Sequence, residues 1–444
     1  MGIEVRQHPR IVDAATCEAG CTCGGDHPAP EVTLYSGEDA ARIMAEDCRA
    51  IYADRPVLML SDPETHAVAG AELESQLRAA EINLTTYQFD SNPVATAALI
   101  ETVRTIGHDK ALIISVGSGT VNDLGKYSAS EDQIDFWCLP TAPSMNGYTS
   151  GIAAIKVKGV KRTLPAAPPK RIYAKPSVIQ QAPLKLRQAG FCDVLAKVVS
   201  DIDWQCESLL FSGSYCGLPA AMMTTVEKSY SEHAEEIGQG DESAVMGLFH
   251  GLLISGVAMS LAGSSAPASG GEHLVSHFLD MREPLTGREP ELHGLQVGVG
   301  IILSTACYRR LRELSASDLP RRAEELFTTT AARISDIWGP YADEVTKQFQ
   351  GKRDALLQFD ALLPQRWDEL QTLFQQVQPP EYFAELFART GAPFNLEAFR
   401  LTEEEFMLAA LNSRAIRERI TVLDLAAHAG ILEAAAQETL NLLR

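Results

Sequence analysis

Hydrophobic residues in the first 183 positions of this chain fall into short runs separated by polar or helical stretches. Between two of these runs, residues 94–107 carry apolar side chains at helical spacing. Strands that alternate with helices predict βαβ units on a parallel sheet. The runs predicted as strands are PVLMLS (56–61), LTTYQFD (84–90), ALIISVG (111–117) and FWCLPTA (136–142).

The pattern changes twice after these strands. Residues 148–166, YTSGIAAIKVKGVKRTLPA, predict a hairpin with Gly159 near its turn. From Leu184 onward the apolar spacing is helical, and we predict no strand beyond that point. The clearest helical segments are 184–205, 218–238, 241–263 and 294–314.

These patterns predict an α/β, Rossmann-like parallel-sheet domain followed by an all-α domain. A chain of 444 residues is too long for one ordinary core, so two domains are the default. The predicted division is a flexible, cysteine-containing tail over 1–30, a dinucleotide-binding domain over 31–183 and a helical metal- and substrate-binding domain over 184–444.

Composition narrows the range of partners. A formal net charge of −20 argues against nucleic acid or an anionic membrane, although a local basic pocket could still take an anionic substrate. We see no apolar run of membrane-spanning length and no secretory signal. The glycine- and alanine-rich helical segment around 244–263 suggests packing against a second copy, so a homo-oligomer, dimer or larger, is expected.

Most of the nine cysteines stand singly in apolar stretches, as in reduced thiols of a cytoplasmic protein. The exception is Cys17, Cys21 and Cys23, with His27 close behind. This group could bind a metal, but only half of a paired motif is present. We therefore expect the segment to be a mobile tail without function.

A glycine-rich turn follows the third predicted strand in VGSGTVNDLGK (116–126) and opens a helix. Gly117 and Gly119 let the backbone approach a phosphate, and the helix N-terminus adds N–H donors and a partial positive charge. A tight strand-to-helix turn without function is the alternative. Asp62, after the first predicted strand, could accept the adenosine ribose hydroxyls and favour NAD over NADP, or could simply cap a turn before Pro63.

Candidate metal ligands occur in three later segments. His273 and His277 lie one helical turn apart in GGEHLVSHFLD, Asp193 lies in GFCDVLAK, and His293 lies in ELHGLQVG. One carboxylate with two or three imidazoles is typical of a catalytic divalent metal with an open position. Each residue has an ordinary alternative, such as an ion pair of Asp193 with Lys197 at i,i+4.

The segments GSGTVNDLGK, PTAPSMNGYTS, GFCDVLAK, GEHLVSHFLD and LHGLQVGVG occur in this order. Together they resemble the sn-glycerol-1-phosphate dehydrogenase family, within the superfamily of glycerol dehydrogenases, iron-type alcohol dehydrogenases and dehydroquinate synthases. The tail RERITVLDLAAHAGIL resembles the bacterial branch. The resemblance spans roughly residues 30–435 and implies the dehydroquinate synthase-like fold.

The resemblance assigns residues to three roles. Asp193, His273 and His293 match metal ligands, and His277 matches a histidine that contacts substrate. The residues that match cofactor contacts are Gly117, Ser118, Gly119, Thr120 and Asp123 at the pyrophosphate, and Thr141, Ser144 and Ser150 elsewhere on the dinucleotide.

Two positions depart from the family pattern. Asn146 stands where an acidic residue usually faces the substrate, and Leu295 follows His293-Gly294 where Glu or Gln is frequent. Asn146 keeps hydrogen-bonding capacity and loses the charge. An uncharged residue there would suit a more anionic or differently substituted substrate.

The implied activity is metal-dependent interconversion of sn-glycerol 1-phosphate and dihydroxyacetone phosphate with NAD(H) or NADP(H). Zinc is the first choice of metal, with nickel or iron as alternatives. Asp193, His277 and Asn146 are the predicted catalytic residues, and Lys161, Arg162 and Lys197 are candidates for the phosphate group. The alternatives are a dehydroquinate-synthase-like sugar-phosphate cyclase, a dehydrogenase of another small polyol or phosphorylated alcohol, and a non-catalytic nucleotide-binding protein with a degenerate site.

Overall fold

The computed structural model describes residues 6–12, 21, 23–25, 27–157, 160–288, 291–391 and 394–444, so Cys17 and Gly159 lie outside the described residues. The chain forms two compact units. The sheet unit contains residues 1–194 and 221–264, and the helical unit contains residues 195–220 and 265–444. The units interleave along the chain, and the boundary predicted near 184 stays a prediction.

The sheet unit contains a six-stranded parallel sheet in the order β1-β8-β5-β4-β2-β3, beside an antiparallel β6–β7 hairpin. The predicted parallel sheet and the hairpin are confirmed. The edge strand β1 and its neighbour β8 were missed, because each has only four residues. The strands are β1 (Thr33–Ser36), β2 (Val57–Ser61), β3 (Leu84–Gln88), β4 (Leu112–Gly117), β5 (Asp135–Pro140), β6 (Ile152–Val157), β7 (Val160–Pro165) and β8 (Arg171–Ala174).

Both faces of the sheet are covered, as expected for parallel strands. Leu58 and Leu60 of β2 belong to one buried cluster, whereas Val57 and Met59 belong to another. Up to Leu195, the described part of the sheet unit contains eight helical segments. They are α1 (Ala40–Tyr52), α2 (Pro63–Thr65), a π-helical turn (His66–Gly70), α3 (Ala71–Ala79), α4 (Ala97–Gly107), α5 (Gly119–Glu131), α6 (Pro176–Gln180) and α7 (Leu184–Leu195), whose last residue is grouped with the helical unit.

The helix α9 (Gly217–Val226) begins in the helical unit and ends in the sheet unit. It is followed in the sheet unit by α10 (Lys228–Ser231), α11 (Ala234–Gln239) and α12 (Glu242–Ala262). α12 has the length and hydropathy of a membrane span, which the sequence reading overlooked, yet 72% of its most apolar window is buried inside the fold. This burial is typical of a core helix. The homo-oligomer expected from the composition of this segment stays a prediction.

The helical unit begins with α8 (Lys197–Phe211). No strand is found after Ala174 in the part of the chain that the structure describes, in agreement with the prediction. The remaining α-helices of this unit are α13 (Gly271–Thr286), α14 (His293–Arg312), α15 (Ala323–Trp338), α16 (Ala342–Gly351), α17 (Arg353–Leu357), α18 (Phe359–Phe374), α19 (Pro380–Arg389), α20 (Glu403–Asn412), α21 (Val422–His428) and α22 (Leu432–Leu443).

Parts of the N-terminal segment make specific contacts. The Ile11 N–H donates to the Val32 carbonyl at 3.1 Å, and the Leu34 N–H donates to the Pro9 carbonyl at 3.0 Å. These bonds place Pro9–Ile11 along the edge strand β1. The predicted flexibility of residues 1–30 stays a prediction.

Candidate cofactor and metal sites

The turn between β4 and α5 has the geometry of a phosphate-binding turn. A Cβ on Gly117 would lie 2.6 Å from the Cβ of Val121, so glycine is required at the end of the strand. Ser118 is the N-cap of α5, and its side chain makes no capping hydrogen bond. The N–H groups of the first turn, around Gly119 and Thr120, are therefore not capped by the Ser118 side chain, as an anion site requires.

The turn lies at the point where the strand order reverses. β2 pairs with β3 on one side and with β4 on the other, so Asp62, which follows β2, and Gly117, which ends β4, lie at the carboxyl ends of neighbouring strands. Ligands of open parallel sheets bind outside such a switch point. Asp62 also caps α2, because its Oδ1 accepts the Thr65 N–H at 2.7 Å. Its contact with a ribose stays a prediction.

The segment after β5 packs directly beside this turn. The Thr141 N–H donates to the Gly117 carbonyl at 3.2 Å. A Cβ on Gly119 would lie 2.8 Å from the Sδ of Met145, so the 141–151 loop covers the start of α5. Ser144 and Ser150 are on the same loop, and the Ser150 hydroxyl lies 3.0 Å from the Gly147 carbonyl. The structure thus brings together most of the predicted cofactor contacts.

Lys126 of α5 stabilises the 141–151 loop by hydrogen bonding. This role was not predicted from the sequence. The Lys126 side chain is fully buried, and its ammonium donates to the Gly147 carbonyl at 2.6 Å. Asp123 lies 3.4 Å from the same ammonium and accepts the Ala154 N–H at 3.0 Å. Burial lowers the pKa of Lys126 and raises the pKa of Asp123, while the pairing opposes both shifts. The spacing of Asp123 and Lys126, three residues apart on one helix, could have indicated this ion pair.

Two glycines let helices approach the loop closely. A Cβ on Gly190 of α7 would lie 1.8 Å from the Pro143 carbonyl oxygen, and a Cβ on Gly256 of α12 would lie 2.6 Å from the Asn146 carbonyl oxygen. This approach allows the Asn146 N–H to donate to the Oδ2 of Asp193 at 2.7 Å. Asp193 is fully buried. The backbone of one predicted catalytic residue therefore orients the side chain of another.

The helical unit brings three predicted histidines together. The ring of His273 lies 5.1 Å from that of His293 and 6.1 Å from that of His277, and the His277 and His293 rings lie 5.4 Å apart. His273 and His277 lie on α13, and His293 is the first residue of α14. Two helices thus converge on a small cluster of imidazoles.

Neighbouring side chains set which nitrogen of two rings faces the cluster. The buried Glu272 carboxylate lies 2.8 Å from the Nδ1 of His273. The Ser276 hydroxyl donates to the Oε1 of Gln296 at 3.0 Å, so its oxygen is left to accept a hydrogen bond from the Nδ1–H of His293, 2.8 Å away. Both rings then carry their proton on Nδ1 and keep the Nε2 lone pair for a metal, an arrangement common among metal-binding histidines.

Asp280 extends the cluster by one more helical turn. Ligand atoms of His277, Asp280 and His293 all lie within 4.8 Å of one another, which makes these residues a possible second ligand set. The sequence reading missed Asp280, Ser276 and Glu272, although 273, 276, 277 and 280 share one helical face. The polar residues at i+3 and i+7 from His273 were the available signal.

The buried carboxylate of Asp203 anchors the start of α13, the helix that carries His273 and His277. Asp203 of α8 accepts the N–H groups of Gly271 and Val422, each at 2.7 Å. Burial raises the pKa of Asp203 to about 7, and the nearby Glu272 carboxylate adds to this shift. The Arg419 guanidinium donates to the carbonyl of Ser269 in the same region. This network fixes the first turn of α13, where His273 lies.

The chain is similar to known proteins at both the sequence and the structural level. Residues 35–183 match the family profile of iron-containing alcohol dehydrogenases. A glycerol-1-phosphate dehydrogenase [NAD(P)+] of Geobacillus stearothermophilus is 31% identical over 321 residues, which cover 71% of this chain and 79% of that protein. The corresponding protein of Pyrococcus furiosus is 34% identical over 282 residues, which cover 61% of this chain and 78% of that protein.

Solved structures share the fold at low sequence identity. A glycerol dehydrogenase from Schizosaccharomyces pombe has a TM-score of 0.57 at 15% identity. The alignment covers 93% of this chain and 91% of that protein. An NADH-dependent butanol dehydrogenase from Thermotoga maritima has a TM-score of 0.59 at 15% identity. That alignment covers 94% of this chain and 98% of the butanol dehydrogenase. These likenesses confirm the predicted fold class.

Proposed function

Because the chain belongs to the glycerol-1-phosphate dehydrogenase family, we propose that it interconverts sn-glycerol 1-phosphate and dihydroxyacetone phosphate. In the reducing direction, dihydroxyacetone phosphate, NAD(P)H and one proton give glycerol 1-phosphate and NAD(P)+. The observation that carries the proposal is the imidazole cluster in which Glu272 and Ser276 orient His273 and His293. The proposed cellular location is the cytoplasm.

Asp193, His273 and His293 are the proposed ligands of one divalent metal, with zinc as the first candidate and nickel or iron as alternatives. A carboxylate with two Nε2 donors suits any of these ions, and the fixed tautomers of His273 and His293 fit the role. Such an ion supplies Lewis acidity toward the oxygen of the reacting alcohol or ketone. The Asn146 N–H holds Asp193 in one orientation.

NAD(H) or NADP(H) is the proposed cofactor, and it supplies the hydride chemistry. Gly117, Ser118, Gly119 and Thr120 offer backbone donors to the pyrophosphate at the start of α5. Asp62 is proposed at the adenosine ribose. The remaining proposed contacts are Asp123, Thr141, Ser144 and Ser150. The internal bonds of Asp123 and Ser150 suggest that these two chiefly hold the loop.

His277 is the proposed proton donor and acceptor for the substrate oxygen, and Asp280 beside it would orient its ring. The side chain of Asn146 is proposed to hydrogen-bond a substrate hydroxyl. Lys197, which is buried, is the proposed partner of the substrate phosphate, with Lys161 and Arg162 as further candidates.

A second ligand set, His277, Asp280 and His293, lies within the helical unit alone. Metal stoichiometry separates the two sets, because His273→Ala removes a ligand of the first set only. Asp280→Asn weakens a ligand of the second set only. If Asp280→Asn lost the metal and His273→Ala kept it, the result would assign the metal to His277, Asp280 and His293.

The test of function is oxidation of NADH and NADPH by metal-loaded protein, with dihydroxyacetone phosphate beside unphosphorylated dihydroxyacetone. We expect turnover of the phosphate only, and a chiral assay of the product to give the sn-1 isomer. His273→Ala should abolish turnover, whereas His233→Ala, on an exposed side chain, should not. Turnover of neither substrate by protein that holds metal and cofactor would overturn the proposal.

A further inference from the structure

Cys21, Cys23 and His27 form a compact donor cluster in the sheet unit. The Sγ atoms of Cys21 and Cys23 lie 3.2 Å apart, and the Sγ of Cys23 lies 2.9 Å from the Nε2 of His27. No disulfide joins any of the eight described cysteines. The cluster therefore presents two thiols and one imidazole nitrogen to a common point.

The His27 ring is oriented for ligation. Its Nδ1 lies 2.8 Å from the Leu261 carbonyl oxygen in the last turn of α12. A carbonyl can only accept, so Nδ1 carries the ring proton and Nε2 presents its lone pair toward Cys23. Metal-bound histidines are commonly oriented by a backbone carbonyl in this way.

The backbone at Gly24 and Gly25 leaves room for the donor atoms of Cys23 and His27. The Gly25 N–H donates to the Sγ of Cys23 at 3.3 Å, so the backbone holds this sulfur in place. Gly24 has a φ of +76°, in the region that favours glycine. A Cβ on Gly25 would lie 3.2 Å from the Nε2 of His27 and 3.4 Å from the Sγ of Cys23, so a side chain would crowd the donors.

We propose that Cys21, Cys23 and His27 bind a soft divalent cation, zinc in the cell, as a structural site that fastens the N-terminal segment to the end of α12. Two sulfurs at ~2.3 Å from one zinc ion lie roughly 3.8 Å apart in a tetrahedron, so small outward shifts accommodate the ion. Binding displaces the thiol protons and leaves the oxidation state of sulfur unchanged. Another thiol of the chain or a water molecule completes the tetrahedron.

This site differs in donor chemistry from the one proposed for catalysis, and cobalt separates the two. Protein stripped with a chelator is titrated with Co²⁺ in the presence of a phosphine reductant, and the near-ultraviolet spectrum is recorded. Thiolate-to-cobalt charge transfer reports the cysteine site alone, because the catalytic ligands contain no sulfur. We expect this band in the wild type and in His273→Ala.

The band should fall by half or more in Cys23→Ser and disappear in the double variant Cys21→Ser with Cys23→Ser. Cys48→Ala, which changes a thiol in the core, is the matched control and should keep the band. Retained dehydrogenase activity shows that the variants fold. Absence of the band in the wild type, or its survival in the double variant, would overturn the proposal.

Alkylation provides an independent measurement. Zinc should slow iodoacetamide labelling of Cys21 and Cys23 at least tenfold, as measured by mass spectrometry of the N-terminal peptide. Equal labelling with and without zinc contradicts the site. A peptide two mass units lighter without reductant, unchanged by zinc, would identify a Cys21–Cys23 disulfide instead.

Discussion

The Nδ1 of His293, the first residue of α14, lies 2.8 Å from the hydroxyl of Ser276, which stands on α13 between His273 and His277. One helix thus carries two histidines of the cluster and also sets the tautomer of the third. The hydroxyl oxygen can accept from His293 because the hydroxyl donates its own hydrogen bond to the Oε1 of Gln296. Ser276 is therefore a positioning residue.

Ser276→Ala should weaken metal binding by about 10–100-fold, the usual effect of losing a partner behind a ligand. The His293 ring is then free to turn and to change tautomer. Competition against a coloured chelator measures the affinity. Ser255→Ala, a buried serine on α12, should leave the affinity unchanged. Equal affinities in wild type and Ser276→Ala would show that the hydroxyl has no part in ligation.

Gly190→Ala should displace the 141–151 loop, because the new Cβ would lie 1.8 Å from a backbone oxygen of Pro143. Misplacement of about 1 Å in an active site costs on the order of 100-fold in rate, so kcat/KM should fall by that factor. Gly151→Ala is the control, since its Cβ would meet nothing nearer than 3.6 Å. A Gly190→Ala enzyme with unchanged kcat/KM would contradict the close approach of α7.

Asn146→Asp should discriminate against the phosphorylated substrate. A second carboxylate near Asp193 repels an anion, so KM for dihydroxyacetone phosphate should rise roughly tenfold, by about 1.4 kcal/mol. The constants for unphosphorylated dihydroxyacetone should change less. Steady-state kinetics with both substrates checks this. A larger loss with the uncharged substrate would mean that Asn146 does not face the phosphorylated end.

A buried ion pair in the helical unit offers a test of stability that is independent of catalysis. Lys352 and Asp424 are buried, with their charged atoms 2.9 Å apart, and Arg414 lies 3.4 Å from the same carboxylate. Asp424→Asn leaves two buried cations without their counter-ion and should cost about 3–5 kcal/mol.

Urea unfolding measures this change. Glu403→Gln is the control, because it removes an exposed carboxylate that pairs with Arg444, and such pairs contribute about 0–1 kcal/mol. Equal losses in the two variants would show that burial of the Lys352–Asp424 pair has no consequence.

His428 should make stability fall in mild acid. Burial lowers the pKa of His428 below its usual 6.5, and the Asp360 carboxylate, 2.8 Å away, only partly opposes this shift. The unfolded chain therefore binds more protons in the window between the folded pKa and 6.5. Stability is complete above pH 6.5 and declines as the pH falls through that window.

The loss amounts to at most about 1.4 kcal/mol per pH unit in that window. Unfolding midpoints at several pH values from 7.5 to 5, in roughly half-unit steps, should therefore show a steeper decline for the wild type than for His428→Gln. His108→Gln, on the surface, should follow the wild type. Parallel curves for wild type and His428→Gln would assign the acid sensitivity to other groups.

Sequence patterns predicted the elements whose signal is local. The central strands β2 and β4 are continuous apolar runs, and their observed ends differ from the predicted ones by one residue at most. The long helices α12 and α14 were equally clear. The four-residue strands β1 and β8 have no such signal, because their pairing is made by partners far apart in sequence.

The metal-ligating residues of the candidate site could be predicted from the sequence, but the residues that orient them could not. His273, His277 and His293 could be predicted as a group because imidazoles together with a carboxylate are typical ligands of a catalytic metal. Glu272 and Ser276 are common helix residues, and their importance depends on which ring nitrogen they face. The Ser276–His293 contact exists only after α13 and α14 have packed together.

The sheet unit is built from two separate segments of the chain, and this limits how the enzyme can be cut into fragments or recombined with other proteins. Residues 221–264 belong with the sheet, and the Thr149 hydroxyl donates to the Leu253 carbonyl at 2.6 Å. An excised fragment ending near residue 183 would lack α12, the helix against which the 141–151 loop packs. Recombination at a single crossover could therefore not transfer the whole sheet unit to another protein as one module.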